Sequence, residues 1–444
     1  MLCRTFDAQI PEERADMFNM LAERRRLSLG GDQEVETKTR GILEEVRTDG
    51  LGAVMKYTRL YDAPDFTPRM FHLDRDFLLR MAEATCCADL DPILEAAENI
   101  RAFHQEQKEK SWFIRRPDGS VLGQVMHPVR RAGLYVPGGK GGETPLISSL
   151  LMTAIPAMVA GVREIVVVTP PRPDGSVNPL IMAAAGLLGI SELYACGSAW
   201  AIGALTYGAG PLAPVDVIAG PGNIWVSTAK RLVAGQVGID MVAGPSEIVI
   251  VADQSADPIW LAADMLSQAE HDPLASAICL VTEAELVPRL LAELEGQCAA
   301  LPRAALAAES LQRWGAVALA PNLEQACALA GEIAPEHLEL MCENPWELLP
   351  QVRAAGSVFM GRCSSEALGD YYAGPNHVLP TMGTARFSSG LGVHTFTTRS
   401  NVICATTAAA SLAAAAVARL ARLEGLEAHA RAAELRTGMN KTHN

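Results

Sequence analysis

Glu336 and His337 stand side by side, just after Pro335 and just before the strand-like run that begins at Leu338. A carboxylate beside an imidazole supplies two groups able to move protons near neutral pH. On a strand the two would point to opposite faces, whereas on a loop both could serve one site. An exposed polar turn is the plainer alternative. Gln268 and His271 close the segment Met265–Pro273. Three residues apart, they share one helix face and can reach one metal, although polarity at a helix end explains the pair equally well. The stretch from Gly369 to His377 has the Gly, Pro and Asn content of a loop and follows a strand ending near Met360. Loops after the carboxyl ends of strands are where α/β proteins place their sites. There Asp370 is a hard oxygen donor, and His377 a ligand or an anion contact. Glu424 and His429 are five apart in the C-terminal helical region, a poor spacing for one helix face. His72, His104, His127, His394 and His443 have no such setting.

Two glycine turns could hold a phosphate. Val217–Ala219 leads through Gly220-Pro221-Gly222-Asn223 into a helical stretch, and Leu134-Tyr135-Val136-Pro137 leads into Gly138-Gly139. Glycines admit a ligand close to the backbone, and a helix start offers unpaired N–H groups. Neither turn is GxGxxG, and strand–helix punctuation alone accounts for them.

The elements that must position these groups are short β-rich runs alternating with Ala- and Leu-rich helical ones. The runs are 164–169, 215–219, 247–252, 277–282, 316–320 and 357–360. This alternation predicts parallel sheets with helices on their faces. Residues 15–26 have helical spacing and end at Leu29-Gly30-Gly31. Residues 74–110 predict one long amphipathic helix, and 406–436 a helical stretch broken at Gly425. The uncharged stretch 144–162 reaches the minimum length of a membrane span, but Pro145, Pro156, Gly161 and its hydroxyls favour a buried helix.

The chain has 444 residues, 49% of them hydrophobic and 20% charged, enough for sizeable cores. A net charge of −14 with no basic stripe argues against nucleic acid as a partner. Ten scattered cysteines form no CxxC pair, which points to thiols in a reducing compartment, and the N-terminus lacks the pattern of a secretory signal. A cytoplasmic protein is expected.

Taken together, the strings Gly133–Gly139, Gly220–Asn223, Ile239–Glu247, Ser267–His271, Pro335–Leu338 and Asn376–Thr381 resemble the histidinol dehydrogenase family in order and separation, from about residue 30 to the C-terminal helix. The resemblance implies two incomplete Rossmann-like α/β domains with small helical pieces at the N- and C-termini. The expected division is 1–29 as a helical segment, 30–134 plus 248–390 as the zinc and catalytic domain, 135–247 as the cofactor domain, and 391–444 as a helical segment reaching a partner subunit. It also implies one zinc per subunit on Gln268, His271, Asp370 and His429, the last from the other subunit of a homodimer. Two NAD-dependent oxidations would convert L-histidinol through L-histidinal to L-histidine, the last steps of histidine biosynthesis. His337 would take the proton in each hydride step and Glu336 would activate the water between them. Ser246, His377 and Glu424 match substrate contacts, and Tyr135 and Asn223 match cofactor contacts. Trp200 stands where the family usually has a cofactor-contacting glutamine, and the loop 140–144 is slightly longer than usual. A relative oxidising another small alcohol, such as a sulfonated diol, a zinc hydrolase using Glu336, and a non-catalytic zinc scaffold are the competing readings. The Glu424–His429 pair, which suits an imidazole and zinc better than an anionic head group, weighs against the first of these.

Overall fold

The computed structural model describes residues 2–28 and 33–437. The turn expected at 29–31 and His443 lie outside them. The chain divides into two compact units, one of residues 1–107 with 130–396 and one of 108–129 with 397–444.

The first unit holds two six-stranded sheets. One is wholly parallel, in the order Arg4–Asp7, Ala316–Leu319, Ser276–Val281, Glu247–Ala252, His337–Met341, Ser357–Met360. The other runs His72–Asp74, Glu192–Ala195, Glu164–Thr169, Arg131–Tyr135, Val217–Ala219, Gly238–Ile239, parallel except for its first strand. Runs such as Glu164–Thr169 (EIVVVT) and Glu247–Ala252 (EIVIVA) are apolar and β-branched because helices cover both faces and leave them almost wholly buried. In each sheet the strand order reverses beside a central strand. The reversals fall between Glu247–Ala252 and His337–Met341, and between Arg131–Tyr135 and Val217–Ala219.

Several helices start where the sequence supplies a cap and a proline. Asp257 accepts from the Ile259 N–H and Pro258 takes the first helical position of Pro258–Ala269, the helix that carries Gln268. Asn178 and Pro179 do the same for Pro179–Leu187. The uncharged stretch 144–162 forms the buried helix Ile147–Ala160, and among the described residues no helix is long and apolar enough to cross a membrane.

The structure departs from expectation in three places. Residues 74–110 give two helices, Arg75–Ala84 and Cys87–Glu106, with the break at Thr85 and Cys86, and the chain turns to strand by Trp112. The N-terminal segment is not only helical, because Arg4–Asp7 pairs with Ala316–Leu319. The helices Gln33–Asp49 and Leu51–Tyr61 pack on Ser198–Tyr207, and His72–Asp74 joins the second sheet, whereas the expected division grouped 30–134 with the first. A short helix has an apolar face but no mark of which sheet it covers.

The second unit contains the antiparallel sheet Thr397–Cys404, Val121–Pro128, Trp112–Arg115 and the helices Thr407–Leu423 and Glu427–Glu434. The helices pack together on Ala418, Ala421 and Ala430. The expected helical break at Gly425 is present, with φ at +76°.

Candidate active site

Helix Leu323–Ile333 ends in Ala334, whose φ of +52° turns the chain into Pro335 and Glu336. His337 is the first residue of its strand, in register with Ile248 and Ser357. Glu336 and His337 are both buried, 7% and 2% exposed, which rules out the exposed-turn alternative. Glu247, the first residue of the adjacent strand, holds both. Its N–H donates to Glu336 Oε2 at 3.0 Å, and its carbonyl accepts from His337 Nδ1 at 3.3 Å. That contact assigns the ring proton to Nδ1 in the neutral imidazole and leaves Nε2 as the basic nitrogen. Nε2 is buried, makes no hydrogen bond and lies 3.5 Å from Asp370 Oδ1. Glu336 Oε2 is 3.8 Å from Nδ1.

The side chain of Glu247 is held in turn. Oε1 accepts from the Met382 N–H at 2.6 Å, and Oε2 pairs with Arg24 Nη1 at 2.5 Å. Arg24 comes from the N-terminal helix Pro11–Ser28 and is fully buried. Its remaining N–H groups donate to the carbonyls of Leu274, Pro245 and Ser246. The guanidinium therefore pins the backbone on which Ser246, half-buried, is carried.

Gln268, in the last turn of its helix, is fully buried. Its Nε2 donates to Glu366 Oε1 at 3.3 Å, while its Oε1 has no hydrogen-bond partner. His271 follows just beyond the helix end and is exposed. Asp370 sits in a wide helical turn, Gly369–Ala373, of a kind that recurs at functional sites. Its carbonyl accepts from His377 Nδ1 at 2.9 Å, so His377 braces the loop. A cavity of about 230 Å³ borders Asp370, Asn376 and His377. His337, Glu366 and Asp370 bring ligand atoms within 4.8 Å of one another.

Burial raises the Glu336 carboxyl to about 8, against the pull of His337 and of the Glu247 N–H. Burial works against a charge on His337, but the carboxylates of Glu336, Asp370 and Glu366 outweigh it and lift the ring to about 10. A cation among these carboxylates would cancel that lift.

At the second sheet the turn Gly220–Asn223 follows the strand Val217–Ala219. Gly220 has φ of +121°, and a Cβ there would lie 2.1 Å from the Tyr135 carbonyl oxygen, so only glycine fits. Asn223 is exposed and caps the helix Ile224–Val233, its Oδ1 accepting from Trp225 and Val226 N–H. Tyr135 is buried, and its hydroxyl accepts from the Ser198 N–H at 3.2 Å. Trp200 is 3% exposed, donates Nε1–H to Thr58 Oγ1 at 3.1 Å, and stacks on Tyr57 and Tyr61 at 5.9 and 5.7 Å. Its one polar atom is spent inside the protein. Each non-glycine residue at positive φ among the described residues adjoins this machinery: Ala334 before Glu336, Met382 on Glu247, and Ser198 on Tyr135.

The structure thus gathers Glu336, His337, Gln268 and Asp370, with Ser246, His271 and His377 on the adjoining backbone. Glu424 and His429 belong to the second unit, at the end of one helix and within the next, and both are exposed. Sequence reasoning missed Arg24, Glu247, Glu339 and Glu366. Of these, only the charge at the start of the apolar run Glu247–Ala252 carried a signal. A site at a strand's carboxyl end was expected only for the loop Gly369–His377, while Glu336 and His337 were expected just before a strand. The chemistry lies where the strands His337–Met341 and Glu247–Ala252 begin, and the loop that carries Asp370 returns to that edge. Residues 240–246 run from the end of the last strand of the second sheet directly into Glu247, so the carboxyl end of one sheet feeds the amino end of the other.

Comparison with known proteins identifies the family. The histidinol dehydrogenase family profile matches residues 26–437. Histidinol dehydrogenase of Nitratidesulfovibrio vulgaris (strain Hildenborough) is 55% identical over 436 residues, covering 98% of this chain and 99% of the relative. That of Oleidesulfovibrio alaskensis (strain G20) is 54% identical, covering 98% and 100%. The crystal structure of histidinol dehydrogenase from Elizabethkingia anophelis superposes with a TM-score of 0.91 at 31% identity, covering 99% of both chains. With the fold matched over its whole length and a family profile spanning nearly all of it, the chain belongs to the histidinol dehydrogenase family.

Proposed function

We propose that Glu336 and His337 divide the proton transfers of a two-step, NAD-dependent oxidation of L-histidinol through L-histidinal to L-histidine, the closing steps of histidine biosynthesis. The observation that carries this division is the His337 ring, whose Nδ1 is engaged by the Glu247 carbonyl while its buried Nε2 stays without a hydrogen bond. Nε2 takes the hydroxyl proton as hydride leaves for the first NAD. Glu336, lifted by burial into the range where a carboxyl both holds and yields a proton near neutrality, takes a proton from the water that adds to the aldehyde. Nε2 returns its proton to the aldehyde oxygen as the water adds, and then takes a proton from the hydrate as the second hydride leaves for a second NAD. Ser246, His377 and the partner subunit's Glu424 complete the substrate's surroundings. Tyr135, Asn223 and the Trp200 wall line the cofactor side.

The donor set fits zinc. Gln268 Oε1 is a buried oxygen without a partner, Asp370 supplies a carboxylate, and His271 follows just beyond the end of the helix that carries Gln268. Nitrogen and oxygen donors with a position left open suit a zinc that works on substrate. His429 of the partner subunit would be the fourth ligand. Zinc, when bound, would orient the substrate and offset the carboxylate charge that raises His337. A homodimer is supported by the second unit, which leaves Ile403, Leu412, Leu420 and Leu423 between 63% and 81% exposed, apolar surface that a partner would cover. The ten free thiols fit a cytoplasmic setting.

Single-turnover reduction of NAD, from histidinol and separately from histidinal, tests the division. His337→Asn should lose both, by about a hundred- to ten-thousand-fold. Glu336→Gln should keep the alcohol step and falter with the aldehyde. Equal losses on both substrates for Glu336→Gln would remove the glutamate from the role of water base.

A further inference from the structure

Gln268 is backed by buried carboxylates to which the proton transfers assign no task. Glu366, 2% exposed, accepts from Gln268 Nε2 through Oε1 and from Ser267 Oγ at 2.7 Å through Oε2. Its backbone N–H donates to Glu339 Oε1 at 2.9 Å, and Glu339 is itself only 1% exposed. Glu366 is thus held from its backbone and from both its oxygens.

A carboxamide has two faces of opposite kind. Half a turn about its last bond exchanges an oxygen that can bind a metal for an NH₂ that cannot. Helix packing places the Gln268 side chain but does not choose between these. An ionised carboxylate accepts and never donates, so it can meet the NH₂ and not the oxygen. The Gln268 oxygen is the end left without a partner. We propose that Glu366 is a positioning residue that locks the Gln268 carboxamide with its oxygen toward the metal. The proposal rests on the zinc reading above. It assigns Glu366 a place behind the ligand, although its atoms lie close enough to His337 and Asp370 to be ligands themselves.

Zinc affinity of the purified apoprotein, measured by competition with a chromophoric chelator, tests it, together with the visible spectrum of the cobalt-loaded protein. Glu366→Gln offers an NH₂ of its own, so the Gln268 amide can turn. Zinc should bind about 10- to 100-fold more weakly, the usual loss when a group behind a ligand is removed. Gln268→Glu alone should also weaken binding, because it sets two carboxylates side by side. The swap Gln268→Glu/Glu366→Gln reverses donor and acceptor and again leaves one oxygen for the metal. Its affinity should return to within about tenfold of wild type, with the cobalt spectrum restored. A structural prop would not be repaired by that swap, nor would a lost ligand.

Unchanged zinc affinity in Glu366→Gln overturns the proposal, and so does a loss that the swap fails to repair. His271→Ala separates the two readings. If it leaves zinc affinity intact, the zinc reading falls and takes this proposal with it. If it loses zinc while Glu366→Gln does not, only the proposal falls.

Discussion

The two parallel sheets of the first unit differ in what they present at their working edges. At the carboxyl ends of Arg131–Tyr135 and Val217–Ala219 the surface is backbone: Gly220 packed against a carbonyl, and a helix start capped by Asn223. At the amino ends of Glu247–Ala252 and His337–Met341 it is buried ionisable side chains, each fastened to a neighbour's N–H or carbonyl. The first arrangement suits a ligand recognised by close approach and helix-end charge. The second suits proton transfer, which needs one nitrogen or oxygen kept free while every other polar atom is engaged. The usual rule for open α/β sheets, that ligands bind at carboxyl ends beside a reversal of strand order, describes the first edge. The second departs from it because residues 240–246 join the sheets end to end. The carboxyl edge of one sheet thereby leads straight to the first residue of the strand that holds Glu336 and His337.

If this contrast is right, damage to the chemistry edge should be severe even from a residue that touches nothing reactive. Arg24→Met is the sharpest case and has the largest expected effect. It leaves the buried Glu247 carboxylate without its ion-pair partner and releases the Pro245 and Ser246 carbonyls. Breaking a buried pair from one side costs about 3–5 kcal/mol. The apparent melting temperature should fall, and kcat with histidinol should fall with it, since Glu247 sets both Glu336 and His337. Wild-type melting and kcat in this variant would show that Glu247 is held by its backbone alone.

The same contrast explains what could be read from sequence. Glu336 with His337, and Gln268 with His271, were legible because their chemistry lies within a turn of chain. The Gly220 turn was legible because strand, glycine and helix follow one another. Arg24 was not: it lies among Arg25 and Arg26 in a polar helix, and its partner Glu247 is 223 residues away. Glu366 is a single acid before Ala367-Leu368, with nothing local to mark it as fully buried. Strand runs of apolar β-branched residues were found. The four residues Arg4–Asp7 were missed, since an edge strand with charges at both ends shows no alternation. Which sheet a helix covers was not legible, because that is decided by contacts distant in sequence. The fate of Trp200 was hidden likewise. Its position suggested the cofactor, but Thr58, Tyr57 and Tyr61 lie far back in the chain.

At the cofactor edge a middling effect is expected, and it should appear in a different constant. Asn223→Ala removes the cap of Ile224–Val233, which costs about 1 kcal/mol, and should raise KM for NAD while leaving KM for histidinol unchanged. Asn223→Asp sharpens the point. It keeps a capping oxygen but loses the amide NH₂ and adds a negative charge at the helix start, where the proposed cofactor contact would place a pyrophosphate. Stability should then match wild type, with KM for NAD still raised. Asn223→Asp with wild-type KM would reduce Asn223 to a cap alone.

The smallest effect is expected at Trp200. Trp200→Phe keeps an aromatic ring against Tyr57 and Tyr61 and removes only the donor to Thr58 Oγ1. A neutral hydrogen bond contributes about 0.5–1.5 kcal/mol net, and Thr58, on helix Leu51–Tyr61, can turn its hydroxyl to a backbone carbonyl of its own helix. A small drop in melting temperature is therefore expected, with KM for NAD changed less than about threefold, the equivalent of one such bond partly lost. The reason lies in burial: an indole that is 3% exposed and has given its N–H to the protein has no polar atom left for a cofactor. It can act only by shaping the wall, and phenylalanine shapes it nearly as well. Titration with NAD, followed by initial-rate kinetics at saturating histidinol, provides the measurement. A KM raised tenfold or more in Trp200→Phe, at unchanged melting temperature, would mean that the indole N–H turns outward to meet the cofactor, and the contrast between a backbone edge and a side-chain edge would have to be redrawn.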